Sequence, residues 1–471
     1  MADKIPGQHP GDGQALPAAI RSLLILGVPL VGAQLAQMLI NVVDTVMMGW
    51  LGTRELAAGT LAFQIFFILW IFGSGFAFAI VPLAATAIGR GNEVTVRRHV
   101  RMGMWVQCAY FTAIFLPMGY VREILIAFGQ EPVLAGLAQD YMDIAKWAIL
   151  PSLLLMVLRS FATALEHARI ILVITLFSAV LNGLLNYAFI FGNFGAPRLE
   201  IPGAALATLL TNLAAFAFAA LWVGLRQEFR SYEVFKRLWR SDFPAFFEII
   251  RLGLPISIGI IAEVGLFAFA AIMMGWLGEI ALAAHGIALQ IAALAFMVPL
   301  GLSNAATARV GIAVGREDRV GLVRTGQAAV VITTVFALAA ALPMLLIPEI
   351  LISGWLAEGD PNAAAVVAIA VPLLGVAACF QLVDGLQVTG VGLLRGLKDM
   401  RVPMLIAVFS YWAIGVPIAL LLGFAAGLGG IGIWSGLAAG LSFAAILLIW
   451  RFFREARNPA IFSETAGKSP A

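Results

Sequence analysis

Three carboxylic acids stand inside long apolar runs: Asp44, Glu263 and Asp384. None has a basic residue within two helical turns along its own run. Taking a carboxylate out of water is costly unless a proton, a cation or a base compensates it. Acids so placed suit one task, the reversible holding of a proton or a hard monovalent cation such as Na⁺. Neutral oxygens accompany them. Asn182 and Asn186 are four apart and share one helical face, and Thr208, Thr211 and Asn212 follow in the next run. Two readings stand side by side for these. They supply interhelical hydrogen bonds, or Asn182, Asn186 and Thr208 bring amide and hydroxyl oxygens to Asp44.

The remaining polar residues point to packing. His285 opens the eighth run as a capping or packing residue, and His167 lies in a turn. Asp140, Asp143 and Lys146 are spaced to pair locally at a solvated helix end. Cys108 and Cys379 have no metal-like or redox-like spacing and read as small core hydrophobes. The run Gly427-Leu428-Gly429-Gly430-Ile431-Gly432 matches G-x-G-x-x-G, but it joins two apolar segments, whereas a dinucleotide site needs a βαβ unit. There is no P-loop, and none of the four histidines has H-E-x-x-H spacing. The chain is expected to be no enzyme and to carry no cofactor beyond a coupling Na⁺ or H⁺.

The elements that position these groups follow from composition. Hydrophobic residues make up 62% of the 471 and charged residues only 12%, with a mean hydropathy of +0.98. A soluble domain averages about 25% charged, so a water-soluble body and a nucleic-acid binder are excluded. Long uninterrupted apolar runs also exclude a β-barrel, whose strands alternate. Twelve runs reach the roughly 20 residues that span a bilayer as a helix: 22–48, 57–88, 100–120, 136–158, 170–192, 203–225, 250–275, 282–313, 325–347, 364–393, 403–423 and 430–450. The expected fold is an all-α polytopic membrane protein. Its parts are a tail (1–20), an N-lobe (21–225), a linker (226–249), a C-lobe (250–450) and a second tail (451–471). The N-terminus lacks the pattern of a secretory signal.

Basic residues fall on one side. Of the 29, only Arg54, Arg122, Lys146 and Arg198 lie in one set of connections. The other 25, including Arg101, Arg159, Arg395, the cluster 226–251, Lys4 and Lys468, lie in the opposite set or the termini. The positive-inside rule then places both termini in the cytoplasm, and in a bacterium the membrane is the inner one.

The chain also repeats itself at a shift of 226 residues. Met47-Met48-Gly49-Trp50-Leu51-Gly52 recurs from Met273 to Gly278, Leu26-Gly27-Val28-Pro29 matches Leu252-Gly253-Leu254-Pro255, and Gly89-Arg90 matches Gly315-Arg316. Six helices per half give two parallel lobes related by a pseudo-twofold along the membrane normal, around a central cleft. The absence of a filter-like loop weighs against a channel. Pro29 and Pro255 must bend their helices, as static kinks or as hinges. The acids break the symmetry: Glu263 falls opposite Gln37, and Asp44 opposite Ala270.

These features together resemble the MATE (multidrug and toxic compound extrusion) family, in its NorM-like bacterial branch. The resemblance covers about residues 20–452 and is carried by Gln37–Gly49, Glu263–Phe267 and Asp384–Met400. It implies a monomeric antiporter in the lipid bilayer that exports amphipathic organic cations by alternating access, driven by Na⁺ or H⁺. By motif it implies a C-lobe cation site at Glu263 and Asp384, and an N-lobe site at Asp44, Asn182, Asn186 and Thr208. Gln37, Met38, Phe267, Phe380 and Gln381 are the expected substrate-lining residues. One departure stands out. Na⁺-coupled relatives often carry Tyr one turn before the helix 10 acid, and this chain has Phe380. An alternative from the same superfamily is a flippase of lipid-linked precursors. Its anionic cargo calls for mid-membrane Arg or Lys, whereas the groups here are acids.

Overall fold

The computed structural model describes residues 15–356 and 361–463. Among the described residues there is no β-strand, and twelve helices are long and apolar enough to cross a membrane. They are α1 (Leu16–Gly49), α2 (Arg54–Gly89), α3 (Glu93–Ala127), α4 (Pro132–Ala164), α5 (Ala168–Phe191), α6 (Ile201–Leu225), α7 (Phe243–Trp276), α8 (Glu279–Gly315), α9 (Arg319–Leu346), α10 (Ala363–Gly396), α11 (Arg401–Ala425) and α12 (Gly429–Arg457). Helices are forced here by the solvent: in hydrocarbon every backbone N–H and C=O must find its partner within the segment. All twelve predicted runs appear, and most extend beyond their apolar stretch. α1 begins inside the expected first tail and α12 continues into the expected second one. Lys4 and Lys468 lie outside the described residues.

The repeat is visible in the connections. Gly52 and Gly278 precede α2 and α8 with φ of 153° and 120°, a region open to glycine. Gly91 and Glu317 take the left-handed conformation after α2 and α8. The next residues, Asn92 and Asp318, each cap the following helix by accepting from a backbone N–H, at 2.9 Å from Thr95 and 2.8 Å from Gly321.

Contacts group the chain into two units that differ from the expected lobes. One comprises Gly32–Ile261. The other takes α1 as far as Val31 together with everything from Ala262 onward. The reason is close helix approach. Any side chain at Gly27 would collide with Leu302, and one at Gly301 with Val31, so early α1 seats on α8. At the repeat-related positions, Gly253 lies against Phe76 and Gly75 against Ser257, and Ser257 Oγ donates to the Phe72 carbonyl at 2.6 Å. Early α7 therefore seats on α2. Pro29 and Pro255 lie shortly before the two points where the chain changes unit.

Within Gly32–Ile261, the connection 226–242 is clamped to the start of α3. Arg97 pairs with Glu233 at 2.6 Å, Arg98 forks onto both carboxylate oxygens of Asp242, and His99 Nε2 lies 3.2 Å from Glu248. Trp105 Nε1 donates to the Leu238 carbonyl at 2.8 Å. Three of the arginines assigned to connections are drawn against protein inside helices. Arg101 is buried in α3. Arg159, in α4, donates to Thr175 Oγ1 at 2.9 Å. Arg395 is a half-buried residue of α10. α4 and α10 run further than their apolar stretches, so the last cation of each is drawn against protein. The two cysteines also correct the reading as core residues: both are exposed, on α3 and α10. The expected Lys146–Asp143 pair is present at 2.8 Å.

The Arg98 guanidinium, hydrogen-bonded to Asp242, holds that carboxyl below its ordinary value of 3.8. A depressed carboxyl stabilises the fold above the unfolded-state pKa, and the contribution is lost as pH falls through the folded-state value. Arg98→Ala is expected to destabilise the protein by about 1 kcal/mol at pH 7, because the pair is bidentate but partly solvated. Thermal melting of the purified protein should show the deficit shrinking below about pH 4. An equal deficit at both pH values would show that this pair is not its source.

Candidate functional site

The first cluster lies in the Gly32–Ile261 unit and draws on α1, α4, α5 and α6. Asp44 is half-buried near the end of α1. Asn186 Nδ2 donates to Asp44 Oδ1 at 2.5 Å and to Asn182 Oδ1 at 3.2 Å. The i, i+4 spacing on α5 does what it predicts, since both amides are buried and face one way. Asn186 Oδ1 has no hydrogen-bond partner among the described residues. Thr208 Oγ1 donates to the Ala204 carbonyl at 3.0 Å, and its own carbonyl accepts from Asn212 Nδ2 at 3.0 Å. Thr208 reaches the cluster through Tyr141, a buried phenol of α4 that faces both Thr208 and Asp44. Gln37 and Met38 are half-buried on α1, about two turns before Asp44.

The second cluster lies in the other unit. α10 is held to α8 by hydroxyls: Ser303 Oγ donates to the Val388 carbonyl at 2.7 Å and Thr307 Oγ1 to the Gly392 carbonyl at 2.8 Å. Thr333 of α9 bonds Thr389 at 2.9 Å. This fixes the rotation of α10 and turns Asp384 inward, where it is 3% exposed. Glu263 of α7 is its electrostatic neighbour. Arg395 and Tyr411 lie within electrostatic range of Glu263, and Tyr411 also of Asp384. Gln387 Nε2 donates to the Tyr411 hydroxyl at 2.6 Å. Asp384 Oδ1 and Gln387 Oε1 are buried without a hydrogen-bond partner among the described residues. Glu263, with no basic residue near it along its own helix, has a guanidinium near it from α10.

Phe380 and Gln381 are core residues rather than lining ones. Phe380 is 1% exposed and packs edge-on against Phe267 (6.1 Å between centroids) and Trp434 (5.6 Å). Gln381 Nε2 donates to the Ala292 carbonyl at 2.8 Å. Both sit on the α10 face that meets α8 and α12. His285 is a packing residue, as expected. Its Nδ1 accepts from Trp434 Nε1 at 3.0 Å, and because indole only donates, the neutral ring carries its proton on Nε2. Tyr141, Gln387, Arg395 and Tyr411 lie beside these acids and escaped sequence reasoning. Only Gln387 had a local signal, one turn after Asp384 on the same face.

A family model described as MatE matches residues 29–188 and 255–421. The chain is 49% identical over 442 residues to the probable multidrug resistance protein NorM of Rhizobium meliloti, covering 94% of this chain and 95% of that protein. It is 48% identical to the protein of the same name from Agrobacterium fabrum, covering 92% and 93%. Among solved structures, a variant of the Vibrio cholerae MATE transporter VcmN superposes with a TM-score of 0.85 at 18% identity, covering 95% of this chain and 99% of that one. A eukaryotic MATE transporter superposes with a TM-score of 0.81 at 19% identity, covering 94% and 99%.

Removing Asn186 tests the first cluster. Asn186→Ala leaves both Asp44 and the Asn182 carbonyl without their donor, a loss of about 1–3 kcal/mol. In a double-mutant cycle with Asp44→Ala, followed by thermal unfolding, a coupling of at least about 0.5 kcal/mol is expected. Simple additivity would show that the bond contributes nothing.

Proposed function

The chain belongs to the MATE family, in its NorM-like bacterial branch, and from that premise we propose that this transporter is an antiporter exporting amphipathic organic cations in exchange for Na⁺ or H⁺. The observation that carries the reading is Asp384, an acid sealed in apolar helices with one oxygen lacking a hydrogen-bond partner among the described residues. Such an oxygen calls for a proton or a cation. The C-lobe site is Glu263 and Asp384, and the N-lobe site is Asp44 with Asn182, Asn186 and Thr208. The relatives named as multidrug resistance proteins support a drug-like cargo, as do the apolar rings along α2, where Phe63, Phe67 and Trp70 succeed one another at centroid spacings of 6.0 and 6.2 Å.

In this mechanism the coupling cation enters an acid site and neutralises it. The balance between the inward-open and outward-open states then shifts by the difference in the cation's affinity for the two. Pro29 and Pro255, where α1 and α7 approach their change of unit, serve as hinges. The protein acts as a monomer in the bacterial inner membrane with both termini in the cytoplasm, and Na⁺ or H⁺ is its only cofactor.

Dye efflux from proteoliposomes, with Na⁺ and H⁺ gradients imposed separately, tests the proposal. One gradient is expected to drive efflux in the wild type. Asp384→Asn is expected to reduce the driven rate at least tenfold, and Asp44→Asn to reduce it as well. Transport indifferent to both gradients and both variants would overturn the antiporter reading.

A further inference from the structure

Gln387 and Tyr411 have no role in the chemistry described so far, yet they are among the most deeply buried polar side chains of the C-terminal unit, at 2% and 0% exposure. Their contact is specific. Gln387 Nε2 donates to the Tyr411 hydroxyl at 2.6 Å. That bond tethers the amide to α11 through its nitrogen. The carbonyl oxygen, Oε1, is buried with no hydrogen-bond partner among the described residues. Asp384 Oδ1 is in the same condition. The two residues are three apart on α10, so their side chains rise from one face of the helix, one turn apart. Two buried acceptors one helical turn apart without a donor are costly. A single cation satisfies both at once. A proton on Asp384 makes that oxygen a donor to Gln387 Oε1, and a Na⁺ accepts lone pairs from both.

The backbone is arranged to present Tyr411. From Phe409 to Gly415, α11 is wound as a π-helix, and a second π-helical stretch covers Leu421–Ala425. Such windings carry extra residues within a helix and recur at functional sites. Pro417 stands between them, without the N–H that regular α-helical bonding needs. The result brings a phenol from α11 to the acid-bearing face of α10, where Phe380 supplies none.

We propose that Gln387 is a ligand of the coupling cation, its carbonyl oxygen acting together with Asp384, and that Tyr411 is the positioning residue that tethers the amide on the acid-bearing face of α10. Without the Tyr411 hydroxyl the side chain loses the one hydrogen bond that anchors it among the described residues, and its oxygen is no longer held for the cation. The inference rests on the antiporter reading and assigns cation affinity to a pair outside its two acids.

The test uses the full-length protein in proteoliposomes for efflux and in lipid nanodiscs for direct binding. Na⁺ is titrated at fixed pH, and pH is titrated without Na⁺, so that the two cations are separated. Binding in nanodiscs is followed by calorimetry for Na⁺ and by proton uptake for H⁺. For whichever cation the wild type uses, Tyr411→Phe is expected to weaken the half-saturation point about tenfold, or to lower the pH midpoint by about one unit. The maximal efflux rate at saturating gradient should stay within about threefold. Gln387→Leu should give the same shift, and the double variant no more than either alone, because both remove one oxygen from the site. Should Tyr411→Phe fail to elute as a folded monodisperse species, Gln387→Leu and Gln387→Glu carry the test. Restoring an acceptor in Gln387→Glu should recover cation binding that Gln387→Leu loses. Wild-type midpoints in both Tyr411→Phe and Gln387→Leu, or a double variant whose shift is the sum of the two, would overturn this inference alone. A wild type that binds neither cation would overturn the antiporter reading itself.

Discussion

A carboxylate sealed among apolar helices has to be compensated by something, and the arrangement of the C-terminal unit follows from how that demand is met. Ser303 and Thr307 fix the rotation of α10. That rotation decides that Asp384 faces inward and that Phe380, one turn earlier, is buried against Phe267 and Trp434. Glu263 comes from α7, Tyr411 from α11 and Arg395 from the far end of α10 itself. A single helix could not gather these groups, because along one helix only positions three or four apart meet. The apolar packing around the site has a chemical function as well as a structural one. It keeps bulk water away from Asp384, which is buried.

The N-terminal cluster meets the same demand differently. Asp44 is answered by amides, with Asn186 bridging it to Asn182, and a phenol, Tyr141, stands behind. The two halves therefore share a frame, seen in the paired turns at Gly52 and Gly278 and the paired caps at Asn92 and Asp318, but not a chemistry. One site carries a single acid amid neutral oxygens. The other carries two acids and a nearby guanidinium.

Much of this was legible in the sequence because it depends on local spacing. Twelve spans follow from hydropathy, the repeat from a shared hexapeptide, and the Asn182–Asn186 pair from a four-residue interval. What escaped depends on distance between helices. Tyr411 is one of six tyrosines in the chain, and nothing near it in sequence says that it meets Gln387. Arg395 lies just beyond an apolar run and so counted as a loop cation, until the helix proved to continue past it. The cysteines failed for a related reason. In a bilayer, an apolar residue facing outward is as well solvated as one facing inward, so hydrophobicity cannot separate core from surface. The unit boundaries escaped too, since close approach at Gly27, Gly75, Gly253 and Gly301 is a property of paired helices.

That exchange of helix beginnings has a consequence for the protein's origin and assembly. Each half of the chain seats the start of its first helix on the other half's second helix, so the repeat is in effect an intramolecular domain swap. A six-helix precursor encoded by an unduplicated gene would have left the start of its first helix without a seat, and two copies would have had to associate in parallel to supply it. In the single chain the 226–242 connection joins the two halves covalently, and their polar residues differ. It also orders biogenesis. The start of α1 is made first but finds its seat only once α8 has been inserted, so the first half of the chain waits in the membrane, incomplete, for the second.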